Sequence, residues 1–280
     1  MSSTTRLAML IDGDNAQASF INEMLAEASK YGVITIRRVY GDWTEPQMKS
    51  WKASLNTHAV QPIQQFRYTV GKNATDSALI IDAMDILYTA GVDGFCLVSS
   101  DSDYTRLATR IREKNLFVMG IGKKNTPLPF VNACDVFVYT ENLQAESEPE
   151  VPATTPAVED VIDKDAVEFI APKKADAPPV QSGKKKAKLS PLYQLFNNSF
   201  EAAVDSDGWA TLSELGNKLR QLDPAFDPRT YGHQRLQLLV QAHPDVFEIG
   251  KNSKGVLTVR LQEGTAQKNT PVKKKTSTPK

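Results

Sequence analysis

Cysteine and histidine are scarce: two cysteines, Cys96 and Cys134, and three histidines, His58, His233 and His243, among 280 residues. So few and so scattered, they offer no spacing that suits zinc. Each cysteine stands in an apolar setting, so two buried reduced thiols are expected rather than a disulfide, which suits the cytoplasm. Long apolar runs are missing too. None approaches the ~18 residues that suggest a membrane-spanning helix, and the N-terminus shows no basic-then-apolar signal. Neither sign of charge is in excess, Lys+Arg and Asp+Glu both totalling 33, so net charge points to no partner. A soluble, cytoplasmic protein is the expectation.

What is present is order of two kinds, with a break between them. Residues 7–143 alternate strand and helix patterns. The apolar runs Leu7–Ile11, Val33–Val39, Phe95–Val98, Leu116–Ile121 and Val136–Tyr139 read as strands buried on both faces. Val60–Phe66 is more polar and suits an edge. Helical spacing covers Ala16–Tyr31, Thr75–Ala90 and Tyr104–Lys114, the first two ending at Gly32 and Gly91. This alternation predicts an α/β fold, a parallel sheet with helices on both faces, over residues 1–143. Residues 144–188 change character. Glu146–Glu168 holds eight acids against one lysine, and Lys173–Lys188 six lysines against one acid, with few large apolar residues, so a disordered linker is expected. Over 189–262 three helices are read, the third around Tyr231–Val240, followed by a hairpin with a six-residue loop, Gly250–Gly255. That is a small winged helix-turn-helix outline. Residues 263–280 form a lysine-rich tail, expected to be disordered.

The chemistry sits where strands end. Asp12-Gly13-Asp14-Asn15 follows the first strand, Ser100-Asp101-Ser102-Asp103 follows the fourth, and Asp76 opens the helix between them in sequence. Ligands bind open parallel sheets beyond the carboxyl ends of strands, where the strand order reverses. Carboxylates repel one another and resist losing water, so several in one place call for a cation, and hard oxygens suit Mg²⁺ or Mn²⁺. Such a site supports hydrolysis of a phosphodiester. A single Asp or Asn after a strand is otherwise a turn former or helix cap. It is the coincidence of two such motifs with Asp76 that favours metal. Lys72 is placed to touch a substrate phosphate, with Asp14 nearby, and Ser99 and Ser100 to assist Asp101. Asp82 and Asp85 read as a solvated stripe, Asp82 lying about 120° from Asp76 around the helix. Phosphatases of the haloacid-dehalogenase type also place two aspartates two apart after the first strand. Here Ala16 occupies the position of their threonine, and the lysine expected ahead of their last acidic pair is lacking.

Ile11-Asp12-Gly13-Asp14-Asn15, Gly71-Lys72-Asn73-Ala74-Thr75-Asp76, Ile81-Asp82-Ala83-Met84-Asp85 and Val98-Ser99-Ser100-Asp101-Ser102-Asp103-Tyr104 stand in that order, and Asn132-Ala133-Cys134-Asp135 precedes the last strand. In these motifs, over about Leu7–Leu143, the chain resembles the NYN domain family of the PIN-like nuclease superfamily. The resemblance implies a PIN-like α/β sandwich and metal-dependent ribonuclease chemistry. Asp12, Asp76, Asp101 and Asp103 take the metal-binding, catalytic roles, and Asn15 lies near the substrate. Gly208-Trp209-Ala210-Thr211-Leu212-Ser213-Glu214-Leu215-Gly216-Asn217 and Phe226-Asp227-Pro228-Arg229-Thr230-Tyr231-Gly232 resemble a LOTUS, or OST-type HTH, domain. That resemblance implies binding of RNA or of a protein partner. Arg229, His233, Arg235, Lys251 and Lys254 are its candidate nucleic-acid contacts. The expected function is a Mg²⁺- or Mn²⁺-dependent endoribonuclease with an RNA-recognition domain. The alternatives are a non-catalytic RNA-binding or scaffolding regulator that keeps the metal site, and cleavage of DNA.

Overall fold

The computed structural model describes residues 4–66, 74–144, 191–205, 207–252 and 255–262. The linker expected at 144–188 (Gln144 apart) and the tail at 263–280 lie outside the described residues, as do Lys72 and Lys254. The apolar runs form strands β1 (Arg6–Asp12), β2 (Val33–Gly41), β3 (Gln61–Gln64), β4 (Gly94–Val98), β5 (Phe117–Gly122) and β6 (Val136–Tyr139). All pair in parallel, in the order β3-β2-β1-β4-β5-β6, so the order reverses between β1 and β4. β3, the most polar strand, is an edge. The central strands are buried on both faces because helices cover both: α1 (Ile21–Ser29) and α2 (Lys49–Thr57) on one side, α3 (Ala74–Thr89), α4 (Thr105–Arg112) and α5 (Leu128–Ala133) on the other. A short α6 (Thr140–Gln144) follows β6. Residues of β1 and β4 therefore alternate between two cores. Ala8, Leu10, Phe95 and Leu97 pack with Leu79, Ala83 and Leu107, whereas Met9, Ile11, Cys96 and Val98 pack with Ile21, Met24 and Trp51. Both cysteines are buried and unbridged.

Helices α2 and α5 escape the sequence reading. In Lys49–Thr57 only Trp51 is buried, so one anchoring aromatic replaces an apolar stripe. The Ala16–Tyr31 helix is also shorter than its spacing suggests, opening with a 3-10 turn at Ala18–Phe20.

The C-terminal unit has helices α7 (Pro191–Glu201), α8 (Leu212–Leu222) and α9 (Leu236–Gln241) and an antiparallel sheet β7-β9-β8. The expected hairpin is β8 (Phe247–Lys251) with β9 (Leu257–Leu261), its connection shorter than the six residues read from sequence. The third strand, β7 (Ala210–Thr211), is too short to carry a period. Thr211 caps α8 and exchanges hydrogen bonds with Glu214 in a full capping box. Trp209 lies against β8 at Gly250, where a Cβ would come within 2.9 Å of its ring, and the Arg260 guanidinium covers the indole. The third helix is a correction. Gly232, at φ 81°, ends a 3-10 turn at Pro228–Tyr231, and extended Arg235 leaves helix only from Leu236 onward. A left-handed glycine stops a helix that periodicity alone would continue.

The two units touch. The Phe137 N–H of edge strand β6 donates to the Pro224 carbonyl at 2.8 Å, and Ala225 joins the core beneath α3 and α4. Asn142 Nδ2 donates to Thr230 Oγ1 at 2.9 Å, and Arg229 Nη1 pairs with Glu27 at 3.0 Å.

Candidate metal centre

The pleat of β1 decides where its last carboxylate goes. Side chains alternate along a strand, so Asp12 follows Ala8 and Leu10 toward the α3–α4 side. There it meets the N-terminus of α3 and the 3-10 turn Ser102–Tyr104 that follows β4. Asp12 is fully buried. Its Oδ2 accepts from Asn15 Nδ2 at 2.7 Å and Ser99 Oγ at 3.0 Å, and its Oδ1 from the Asp14 N–H at 3.1 Å. Burial pushes its pKa up, against those hydrogen bonds, with the Asp14 charge adding to the rise.

Asp76, Asp101 and Asp103 each present an oxygen within 4.8 Å of the others'. Asp76 and Asp101 are half-buried and Asp103 is exposed, so the group opens to solvent on one side. Burial raises the Asp76 pKa, a hydrogen bond from Tyr104 works against it, and the charges of Asp12, Asp101 and Asp103 raise it further. Tyr104 is the residue that sequence reasoning missed. Its hydroxyl donates to Asp76 Oδ1 at 2.7 Å and lies 3.4 Å from Asp12 Oδ2, joining the buried carboxylate to the open three. The only hint was an aromatic directly after Asp103, which reads equally as the start of a helix. Burial, Asp12 and Asp76 all push the Tyr104 pKa upward, so it is a protonated donor at neutral pH.

Three carboxylates with converging oxygens and no nitrogen or sulfur donor among them fit a hard divalent cation. Asp12 is not in that converging set; it stands behind it, its oxygens occupied by Asn15, Ser99 and the Asp14 amide. The turn-and-cap geometry also occurs here: Asp101 Oδ1 accepts from the Asp103 N–H at 2.9 Å, capping the 3-10 turn. The roles coexist, since a capping carboxylate keeps a second oxygen.

The other expected residues divide. Asp14, exposed at the rim, accepts from Thr75 Oγ1 at 3.0 Å and so ties the β1 turn to α3. Asn15 spends its amide on Asp12. Ser99 reaches Asp12, while Ser100 Oγ accepts the Lys123 N–H at 2.8 Å, fixing the end of β5 against that of β4. Asp82 is not a solvated residue. It pairs with Arg38 and accepts the Tyr40 hydroxyl, fastening α3 to β2. Such a partner two strands away leaves no mark in the local sequence.

In the C-terminal unit Arg229 also departs from expectation. Its side chain is 10% exposed and lies between Asp227, at 2.6 Å, and Glu27, at 3.0 Å. Burial opposes its charge, but hydrogen bonds and charge from both carboxylates outweigh that and hold its pKa high. It is a structural cation rather than a free nucleic-acid contact, because its donors face two carboxylates. His233 is half-buried in the turn before α9, and Arg235 and Lys251 are exposed.

Among the described residues no helix is long and apolar enough to cross a membrane. No curated protein matches the chain. Several solved chains are similar, two of them as follows. A crystal structure of a protein of unknown function from Vibrio parahaemolyticus shares 20% identity with a TM-score of 0.43, over 50% of this chain and 96% of that one. A solution NMR structure of an uncharacterized protein from Nitrosomonas europaea shares 28% with a TM-score of 0.25, over 33% of this chain and 92% of that one. Neither likeness carries an assignment. The family model of the NYN domain, however, matches residues 6–143, and that of the OST-HTH/LOTUS domain matches residues 184–259. Together these span the parallel sheet with its acidic strand ends and the helices and wing behind it: the chain belongs to the NYN domain proteins, of the PIN-like nuclease superfamily, and carries an OST-HTH/LOTUS domain.

Proposed function

We propose that this protein is a divalent-metal-dependent endoribonuclease, with Mg²⁺ or Mn²⁺ held by Asp76, Asp101 and Asp103 and RNA recruited by the C-terminal domain. The convergence of those carboxylates beyond the carboxyl ends of β1 and β4 carries the reading. When bound, the cation supplies positive charge for the phosphate and lowers the pKa of a water. The chain's residues do the rest. Tyr104 donates to one oxygen of Asp76 and so limits how that carboxylate can turn beside Asp101 and Asp103. Asn15 and Ser99 hold Asp12 fixed and buried, where its negative charge reinforces the cation site. Asp14 and Thr75 set the rim of the site, and Lys72 is proposed, from the sequence, as a phosphate contact. The two buried thiols are in keeping with a reducing, cytoplasmic setting.

The test is incubation of labelled single-stranded and structured RNAs with the full chain, in Mn²⁺ or in EDTA. Internal cleavage in Mn²⁺ that EDTA abolishes is expected. Full activity in EDTA overturns the metal assignment. Tight RNA binding without cleavage in any divalent ion leaves the non-catalytic regulator instead, and cleavage confined to DNA replaces the substrate.

A further inference from the structure

The cleft between the two domains holds about 840 Å³ and is walled by the last turn of α1, by β6, and by α8, α9 and the wing. Its polar lining includes Lys30, Asn217, Arg220, Gln234, Arg235 and Gln237. The cleft lies away from the carboxylates. In a parallel sheet α1 carries the chain back from the carboxyl end of β1 to the amino end of β2, so its last turn sits at the end opposite Asp12. Val136, which opens β6, shares that end. The seven residues of β1 separate the two ends by on the order of 20 Å.

The charges of the cleft fall into two classes. Glu27 and Asp227 are matched by Arg229 and Lys30, an ion-paired core that holds the walls together. Arg220 and Arg235 are exposed and have no ion-pair partner among the described residues. A cleft in which the acids are neutralised and two guanidinium groups stand unpaired beside three carboxamides is built for a polyanion. Guanidinium forks and amide donors suit phosphate oxygens, and the amides also offer acceptors that a base edge can use.

Resting on the ribonuclease reading above, we infer that this interdomain cleft binds the phosphodiester backbone of single-stranded RNA, at the end of the sheet opposite the carboxylates, with Arg220 and Arg235 as its phosphate contacts. RNA long enough to pass from the cleft around the sheet reaches both sites. A dinucleotide reaches only the carboxylates.

The experiment uses the full chain with labelled single-stranded RNA of increasing length, in EDTA to stop turnover, over a salt series. For long RNA the Arg220→Ala/Arg235→Ala variant is expected to bind about tenfold or more weakly, with the log–log salt slope shallower by about 1.4 for two lost phosphate contacts. The Arg220→Lys/Arg235→Lys variant retains most of the slope, because the charges remain. Far-UV spectra and melting temperatures that stay at the wild-type values in both variants report an intact fold. Equal affinity and slope in wild type and the alanine variant overturn the cleft assignment and leave it to an acidic peptide. If the wild-type chain neither binds nor cuts RNA of any length, the ribonuclease reading has failed, and the cleft assignment falls with it.

Discussion

At the residue scale, Asp76 gathers the tensions of the site. Its pKa is raised from 3.8 by burial and by three neighbouring carboxylates, so the folded protein holds this proton more tightly than the unfolded chain. Between the unfolded and folded values stability therefore falls as pH rises, and at neutral pH the ionised group works against the metal-free fold. Asp76→Asn is expected to melt higher than wild type at pH 7 in EDTA, with the gap closing as pH falls toward 4. Added Mn²⁺ should stabilise wild type more than the variant. Thermal melts over pH, with and without metal, check the sign; a variant that melts lower at pH 7 contradicts it. Asp101→Asn is expected to lower cleavage by orders of magnitude while leaving the far-UV spectrum unchanged, since it removes one converging charge from a partly open position. Wild-type turnover in that variant would show that Asp101 holds no cation. Tyr104→Phe removes the hydroxyl that joins Asp76 to Asp12 but keeps the buried ring against Phe130. Losing a hydrogen bond to a charged acceptor costs about 1.5–3 kcal/mol, and here that loss falls on carboxylate orientation. Weaker Mn²⁺ binding together with a melting temperature lowered by a few degrees is the expected signature.

At the element scale, α3 is the member that must be held in place, because Asp76 rides on its first turn. Arg38 and Tyr40 on β2 grip Asp82, two turns further on, and Arg38 Nε is already a buried donor with no acceptor among the described residues. Asp82→Ala leaves the guanidinium without its carboxylate. With both side chains about a quarter exposed, the cost belongs at the low end of the range for a stranded partner, about 1 kcal/mol. Urea unfolding measures that cost. Cleavage is expected to drop further than stability alone accounts for, because α3 loosens beside the cation site. An unaltered turnover number would mean that the Thr75–Asp14 contact suffices to place the helix. The same element shows the limit of periodicity: Asp82 looks like a solvated stripe until β2 is laid beside it.

For the whole molecule, the question is what fastens the second domain. Edge strand β6 gives its Phe137 amide to Pro224, and the buried pairs of Arg229 with Glu27 and Asp227 lie at the same junction. Breaking a buried ion pair costs about 3–5 kcal/mol, reduced here because Lys30 still pairs with Glu27. Arg229→Ala in the full chain is expected to release the domains, seen as faster hydrogen exchange at the Phe137 amide with central β1 amides unchanged. Persistent protection at Phe137 would show that the backbone contact and Ala225 hold the junction without the arginine.

The sequence by itself determined the sheet. Strands buried on both faces must be continuously apolar, and a parallel sheet needs helical crossovers between them, so runs such as Leu7–Ile11 and Phe95–Val98 announce their place and order. It also determined that acids cluster, since Asp12, Asp76, Asp101 and Asp103 all sit at element ends where apolar periodicity stops. Which of them converge was decided by the tertiary structure. The pleat of β1 and the β1–β4 pairing turn Asp12 inward behind Tyr104 and leave Asp76, Asp101 and Asp103 open to solvent. The fate of Arg229 was decided the same way. Its neutralising partner Glu27 is 202 positions away in the chain, and no local pattern records a contact made only when two domains meet.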